Sequence, residues 1–269
     1  DINDYKMPTL FAALTEKEIT SLKKDPNVAN VEPDGIVYPL DINIAQTELL
    51  TGPVGSPIGT ATPVIMEGPS AQADTMPWGV SAVGAPSCWE ATQAKGIYVA
   101  VIDTGIAPHV DLAGNLLGGV SFVPGETWID VAGHGTHVAG TIAARLNGTG
   151  VVGVAPAAYL YAIKVLGNSG GAWSWLMSGL YWMRYNYGAI FDVANMSMGG
   201  SSAPTSLEAY INYAAQTTLL CAAAGNTGAP GVIYPAKYPA CIAVGAIDSA
   251  NNKASFSSTG PEVDICAPG

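Results

Sequence analysis

Gly133-His134-Gly135-Thr136-His137-Val138-Ala139-Gly140, running on through TIAARL to Leu146, decides how the rest of the chain is read. It reads as a loop that turns into a helix. The glycines permit a tight approach where the helix begins, and Val138, Ile142 and the small residues Ala139, Gly140, Ala143 and Ala144 suit close packing on a sheet. His134 falls at the helix start, where a side chain projects into open space. An imidazole held there can exchange a proton near neutral pH. Working outward, apolar runs flank this helix: residues 98–102 (YVAVI) before it, and 159–165 (YLYAIKV), 193–196, 219–224 (LLCAAA) and 241–245 (CIAVG) after it, with a further helix predicted over 173–187. Continuous apolar strands separated by helices predict an α/β fold, a doubly wound, mostly parallel sheet with helices on both faces. Sites in such folds gather at the carboxyl ends of the strands.

With 269 residues, 49% of them hydrophobic, the chain can build one large domain and a small extra module. A net charge of -11 argues against a nucleic-acid partner. No apolar run approaches the roughly 18–20 residues of a membrane span, so no membrane partner is expected. Cys88, Cys221, Cys241 and Cys266 lack CxxC spacing; the last three lie among apolar residues and are expected to be buried thiols, although pairing cannot be read from sequence.

Three regions follow from composition. Residues 1–40 hold four of the ten basic residues and a capping box, Thr15-Glu16-Lys17-Glu18, which predicts a helix through Ile19 and Leu22 as far as Asp25-Pro26. A strand is predicted over 27–31 and a turn at Glu32-Pro33-Asp34-Gly35. Forty residues with one helix are too few for a core of their own, so this piece is expected to dock on the large domain or to continue a missing N-terminal part. Residues 41–73, rich in Thr, Pro, Gly and Ser, read as a linker open to proteolysis. Residues 74–269 carry the large domain.

The chemistry starts with Asp103, which ends a strand in AVIDTG. A buried carboxylate beside His134 would fix the imidazole's tautomer and stabilise its protonated form. Ala222-Ala223-Ala224-Gly225-Asn226 ends another strand, and an exposed Asn226 amide there could donate to a developing oxyanion, although Gly-Asn alone is an ordinary turn signal. His134 and His137 with His109 and Asp111 suggest zinc only weakly, because HxxH lacks the zincin glutamate, and His137 reads as a structural histidine. The turn after Ile102 lacks GxGxxG, which counts against dinucleotide binding.

Taken together, DTGIAPHVDL, GHGTHVAGTIAA, GVAP, YAIKVLG, NMSMGG, AAAGN, YPAKYPACIAVGAID and ASFSSTGPEVDICAPG resemble the subtilisin family of serine proteases from Asp74 to Gly269. The resemblance implies a serine endopeptidase in which Asp103 and His134 belong to the catalytic triad and Asn226 is the oxyanion donor. It implies that Ser197, Met198 and Gly199 form one wall of the cleft, pairing with an extended substrate, and Ala223, Ala224 and Gly225 the facing wall of the pocket before the scissile bond. Ile233 falls near the base of that pocket, where relatives often carry Gly or Ser; Trp173 and Leu176 would line an outer apolar subsite. A Ca2+ site is implied at the loop 145–151, with Asn147 binding through its side chain, Arg145, Thr149 and Val151 through carbonyls, and Asp111 and Asp74 as carboxylate ligands. VANVEPDGIVY resembles the C-terminal half of a subtilisin propeptide, whose end lies in the cleft as inhibitor and folding aid. The departure from the family that matters most is that none of its serines sits in the Gly-Thr-Ser-x-Ala motif that carries the nucleophile. The expectation is therefore a secreted precursor acting on proteins and peptides. Its own propeptide segment occupies the cleft, and its catalytic serine comes from a C-terminal segment outside this chain, a second polypeptide. The alternatives are an inactive fragment or propeptide-inhibited complex that only binds, and a Rossmann-like cofactor enzyme.

Overall fold

The computed structural model describes residues 9–40, 73–187 and 191–269. Among these, seven parallel strands form one sheet in the order β10-β9-β8-β6-β2-β4-β3. They are β2 (Tyr98–Asp103), β3 (Leu116–Ser121), β4 (Tyr159–Lys164), β6 (Val193–Met196), β8 (Leu219–Ala223), β9 (Cys241–Ile247) and β10 (Ile265–Pro268). Strand β2 shows how the sequence makes layers. Ala100 and Ile102 join a core containing residues of α4 (Trp173–Tyr187) and α5 (Leu207–Ala214), whereas Val99 and Val101 join a second core with Val138, Ala139 and Ala143 of α3 (His134–Ala143). Alternate residues point to opposite faces, and because helices cover both, the strand is apolar throughout. The α/β reading of the sequence is met.

Several boundaries differ from the sequence reading. Helix α3 stops at Ala143 instead of reaching Leu146, because Ala144 turns to ψ 136°. The last carbonyls have partners elsewhere: that of Ala143 accepts from Asn115 Nδ2 at 3.0 Å and that of Ala144 from Gly153 N at 2.9 Å. No strand forms over 27–31, where Asn27 and Val28 donate back to Asp25 in a turn; the strand of this region is β1 (Ile36–Pro39). Strands β3 and β10 were not anticipated. The first carries Gly118 and Gly119 in its middle, with a register shift between Leu116 and Gly118, and the second is a four-residue edge strand. Cys241 is buried, and burial pushes its thiol up to about 12, but Cys221 is half-buried and Cys266 is exposed on the edge strand β10.

The predicted capping box forms at α1 (Glu16–Leu22): Thr15 N donates to the Glu18 carboxylate at 2.7 Å while the Thr15 hydroxyl accepts from Glu18 N. No residue of α1 is buried. Strand β1 instead lies between β5 (Gly171–Ala172) and β7 (Met198–Gly199) in a small antiparallel sheet. Residues 41–72 of the expected linker lie outside the described residues.

Candidate active site

Asp103 ends β2, fully buried, at the carboxyl edge of the sheet. Its Oδ1 accepts from Thr104 N at 2.6 Å and lies 2.7 Å from His134 Nδ1. The helix that carries His134 can come this close because Gly135 has no side chain: a Cβ there would lie 2.2 Å from the Gly105 carbonyl oxygen and 3.1 Å from Asp103 Oδ1. Gly135 N also donates to Thr104 Oγ1 at 2.8 Å, pinning the first turn of α3 to the turn after β2. Burial is the largest influence on the His134 imidazole and pulls its pKa down. The hydrogen bond and charge of Asp103, then the Leu40 carbonyl, then the charge of Asp130 outweigh it and leave the pKa raised. His137 is lowered, first by burial and then by His134.

The other ring nitrogen, His134 Nε2, faces the Leu40 carbonyl oxygen at 3.0 Å. Leu40 follows β1, and the chain leading to it is seated like a substrate strand. Ile36 and Val37 are in register with Ala172 and Gly171 on one side; Tyr38 and Pro39 are in register with Gly199 and Met198 on the other. Leu40 N donates to the Ser197 carbonyl at 3.0 Å. The Ser197 hydroxyl takes no part in this; it accepts from Asn195 Nδ2. Val37 is fully buried in the cluster that contains Trp173, Leu176 and Met198, so the two residues expected at an outer subsite lie in the core beneath the seated strand. Two carboxylates ahead of β1 cap helices of the large domain. Asp34 accepts from Ser174 N at 3.0 Å and from the Ser174 hydroxyl at the start of α4; Glu32 accepts from Thr205 N at 2.8 Å and Ser206 N at 3.0 Å just before α5. Both satisfy orphan helix donors and complement the positive end of the helix dipole. The sequence reading missed these roles. Their signal was two acids, spaced one residue apart, just ahead of a segment expected to dock.

The facing wall comes from β8. Ala223 is its half-buried last residue, Ala224 and Gly225 are buried, and Asn226 is exposed on the same carboxyl edge as Asp103. Ser258 braces this turn on both sides of Asn226: its N–H donates to the Gly225 carbonyl at 2.8 Å and its hydroxyl bonds the Thr227 hydroxyl at 2.8 Å. Ile233 lies between the walls. A Cβ on Gly199 would be 2.5 Å from Ile233 Cδ1, and one on Gly225 would be 3.1 Å from Ile233 Cγ2.

Away from the cleft, the loop after α3 gathers two carboxylates. Asp74 accepts from Asn147 N at 3.2 Å and Gly148 N at 2.9 Å; Asp111 accepts from Val151 N at 3.0 Å and Asn147 Nδ2 at 3.3 Å. Thr149 donates to Asn147 Oδ1, and Arg145 turns its guanidinium to the Ala113 carbonyl. Asp111 is only 3% exposed, and among the described residues it has no salt bridge. A buried carboxylate without a salt-bridge partner among the described residues is compatible with a hard cation, although the Asn147 side chain turns its nitrogen to Asp111 and its oxygen to Thr149. His109 is committed elsewhere, its Nδ1 accepting from Asp111 N, and among the described residues no three or more His, Cys, Asp or Glu cluster as metal ligands.

The profile of the subtilase family matches residues 94–269. The chain is 43% identical over 268 residues to subtilisin E of Bacillus subtilis (strain 168), covering 96% of this chain and 61% of that protein. To M-protease of Shouchella clausii (strain KSM-K16) it is 42% identical over 267 residues, 98% of this chain and 60% of the relative. Subtilisin BL of Lederbergia lenta is 51% identical over 201 residues, 73% of either chain. The chain thus spans 61% of the length of subtilisin E.

Proposed function

The chain belongs to the subtilase family, and we propose on that premise that it is the precursor of a secreted serine endopeptidase whose nucleophilic serine lies outside these 269 residues. The observation that carries this is the Leu40 carbonyl against His134 Nε2, at the end of a strand paired on both sides. In this reading a serine from a C-terminal segment, joined to the chain or present as a second polypeptide, attacks the scissile carbonyl carbon and gives its proton to Nε2. Asp103 holds Nδ1–H, which leaves Nε2 to accept the serine proton once it is deprotonated and released from the Leu40 carbonyl, and stabilises the imidazolium. Asn226 donates its amide to the oxyanion. The imidazolium then passes the proton to the departing amine; water repeats the sequence and releases the acid.

Residues 1–40 act as the propeptide, with Leu40–Asp41 as the bond presented for cleavage; residues 41–73 are a linker removed in turn, and 74–269 are the catalytic body. Ile233, wedged between Gly199 and Gly225, shortens the pocket for the residue before the scissile bond and favours leucine-sized side chains over large aromatic ones. Asp74, Asp111, Asn147 and the carbonyls of Arg145, Thr149 and Val151 would hold Ca2+, whose charge would offset that of the buried Asp111. Chelation then lowers the thermal midpoint; a midpoint indifferent to chelator removes the metal from this reading. Secretion is taken from the family likeness; among the described residues no helix is long and apolar enough to cross a membrane.

The test is labelling of the whole protein, with its downstream sequence, by a serine-directed phosphonate, read by intact mass. One serine outside residues 1–269 takes the label, and His134→Ala abolishes it. A new N-terminus appears at Asp41. If no co-purifying chain is labelled, the cleft is dead and the protein only binds.

A further inference from the structure

Beside the Asp103–His134 pair lies a second carboxylate that touches neither. Asp130 sits four residues before His134 and is 6% exposed. Its Oδ1 accepts from Ala132 N and Gly133 N, both at 2.9 Å, and its Oδ2 from Thr136 N at 2.9 Å and Thr136 Oγ1 at 2.6 Å. All four donors belong to the five residues 132–136 that surround the imidazole in sequence. Helix α3 needs such an acceptor, because its N-cap residue Gly133 is left-handed, at φ +93°, and has no side chain to offer. Asp130 takes the N–H of the third helical residue, as a capping side chain would, from outside the helix. The same network reaches the strand that bears the acid. The Thr136 hydroxyl, while donating to Asp130, accepts from Ala107 N at 2.9 Å, four residues after Asp103. The backbone at Trp128 and Asp130 also lies directly against Gly105, where a Cβ would come within 2.3 Å of the Trp128 carbonyl oxygen.

We propose that Asp130 is a positioning residue for His134: its carboxylate ties the loop before α3 to the first helical turn and, through the Thr136 hydroxyl, to the turn after Asp103. This holds the imidazole at hydrogen-bond distance from its acid. The proposal rests on His134 being the base. A fully accepting, buried carboxylate is also a fixed negative charge near the ring, and its field favours the imidazolium alongside that of Asp103. The groups facing His134 are Asp103 from β2, Asp130 from the preceding loop, His137 from its own helix and the Leu40 carbonyl from the seated strand. The Lys164 ammonium of β4 is turned to the Thr104 carbonyl and paired with Glu126.

The chain has three histidines, so His134 can be titrated by NMR in the full chain, with His109 as internal reference. Asp130→Asn keeps the shape and removes the charge; Thr136→Val keeps the charge and cuts the link to the Ala107 turn. Asp103→Asn is the reference for the acid–base pair. The His134 midpoint falls most in Asp103→Asn, less in Asp130→Asn and least in Thr136→Val. In the whole protein, kcat falls by up to about 100-fold in Asp130→Asn, as expected for a misplaced base. A lower thermal midpoint with an unmoved His134 titration makes Asp130 a helix cap only and overturns the proposal. If Asp130→Asn does not fold, an unmoved titration in Thr136→Val overturns it alone. An unmoved titration in Asp103→Asn would instead sink the acid–base reading beneath it.

Discussion

Residues 9–40 and the body formed by 73–187 and 191–269 are held together by opposite means. The body folds around apolar strands buried on both faces, and its polar site residues are carried on the carboxyl edge of that sheet. The N-terminal segment has a helix with no buried residue, and its strand has burial on Val37 alone. Everything else that orders the segment is borrowed: two strand edges, two helix termini and one apolar socket. The difference shows that a segment can be specific without being stable, because the body supplies hydrogen-bond partners already in place and so lowers the ordering cost of docking.

Four experiments probe that division. The largest effect belongs to the body alone: His134→Ala in the whole protein lowers kcat by about a million-fold, a figure that comes from subtilisin itself, while the segment remains docked by gel filtration. Loss of the segment together with activity would break the division. Asn226→Ala lowers kcat by about 100- to 1,000-fold, again the subtilisin value, and leaves inhibition by the 1–40 peptide unchanged. Val37→Ala does the reverse. Removing about two methylene equivalents from a fully buried socket costs roughly 1.6 kcal/mol, so the inhibition constant of the peptide rises about ten-fold while turnover of a short substrate is untouched.

The smallest effect is on pH. His134 is raised in the docked state, in part by the Leu40 carbonyl, so its contribution to docking is complete below its undocked pKa and is lost as pH rises through the docked one. For Glu32, burial acts first and raises the carboxyl, but hydrogen bonds from Ser206 and Thr205 win and hold it low; its contribution is present above the ordinary carboxylate range and lost as pH falls through the lowered value. Docking is therefore tightest between these limits. Glu32 is only partly buried, so screening keeps its share to no more than about five-fold in the inhibition constant, measured by peptide inhibition across pH. A flat profile would remove both groups from the docking energy.

What could be read from sequence divides along the same line. The runs at 98–102, 193–196 and 219–224 were legible because parallel strands covered on both faces must be continuously apolar, and the capping box at Thr15 because its pattern is local. Strand β3 was hidden by the glycines in LLGGVS, where a Cβ on Gly119 would lie 2.7 Å from the Trp128 ring. The strand of the segment was misplaced to 27–31 because β1 owes its form to β5 and β7, and propensity carries no trace of a partner more than a hundred residues away.

Alone, the sequence determined the α/β sheet, the helix bearing His134 and the strand end bearing Asp103, because burial period and glycine placement are properties of neighbouring residues. Only the tertiary structure decided that Leu40 meets Nε2, that Ile233 fills the gap between Gly199 and Gly225, and that Asp130 serves the first turn of α3 in place of a cap. Those contacts join residues whose side chains have no local reason to meet, and their geometry exists only once the sheet has brought the strand ends to one edge.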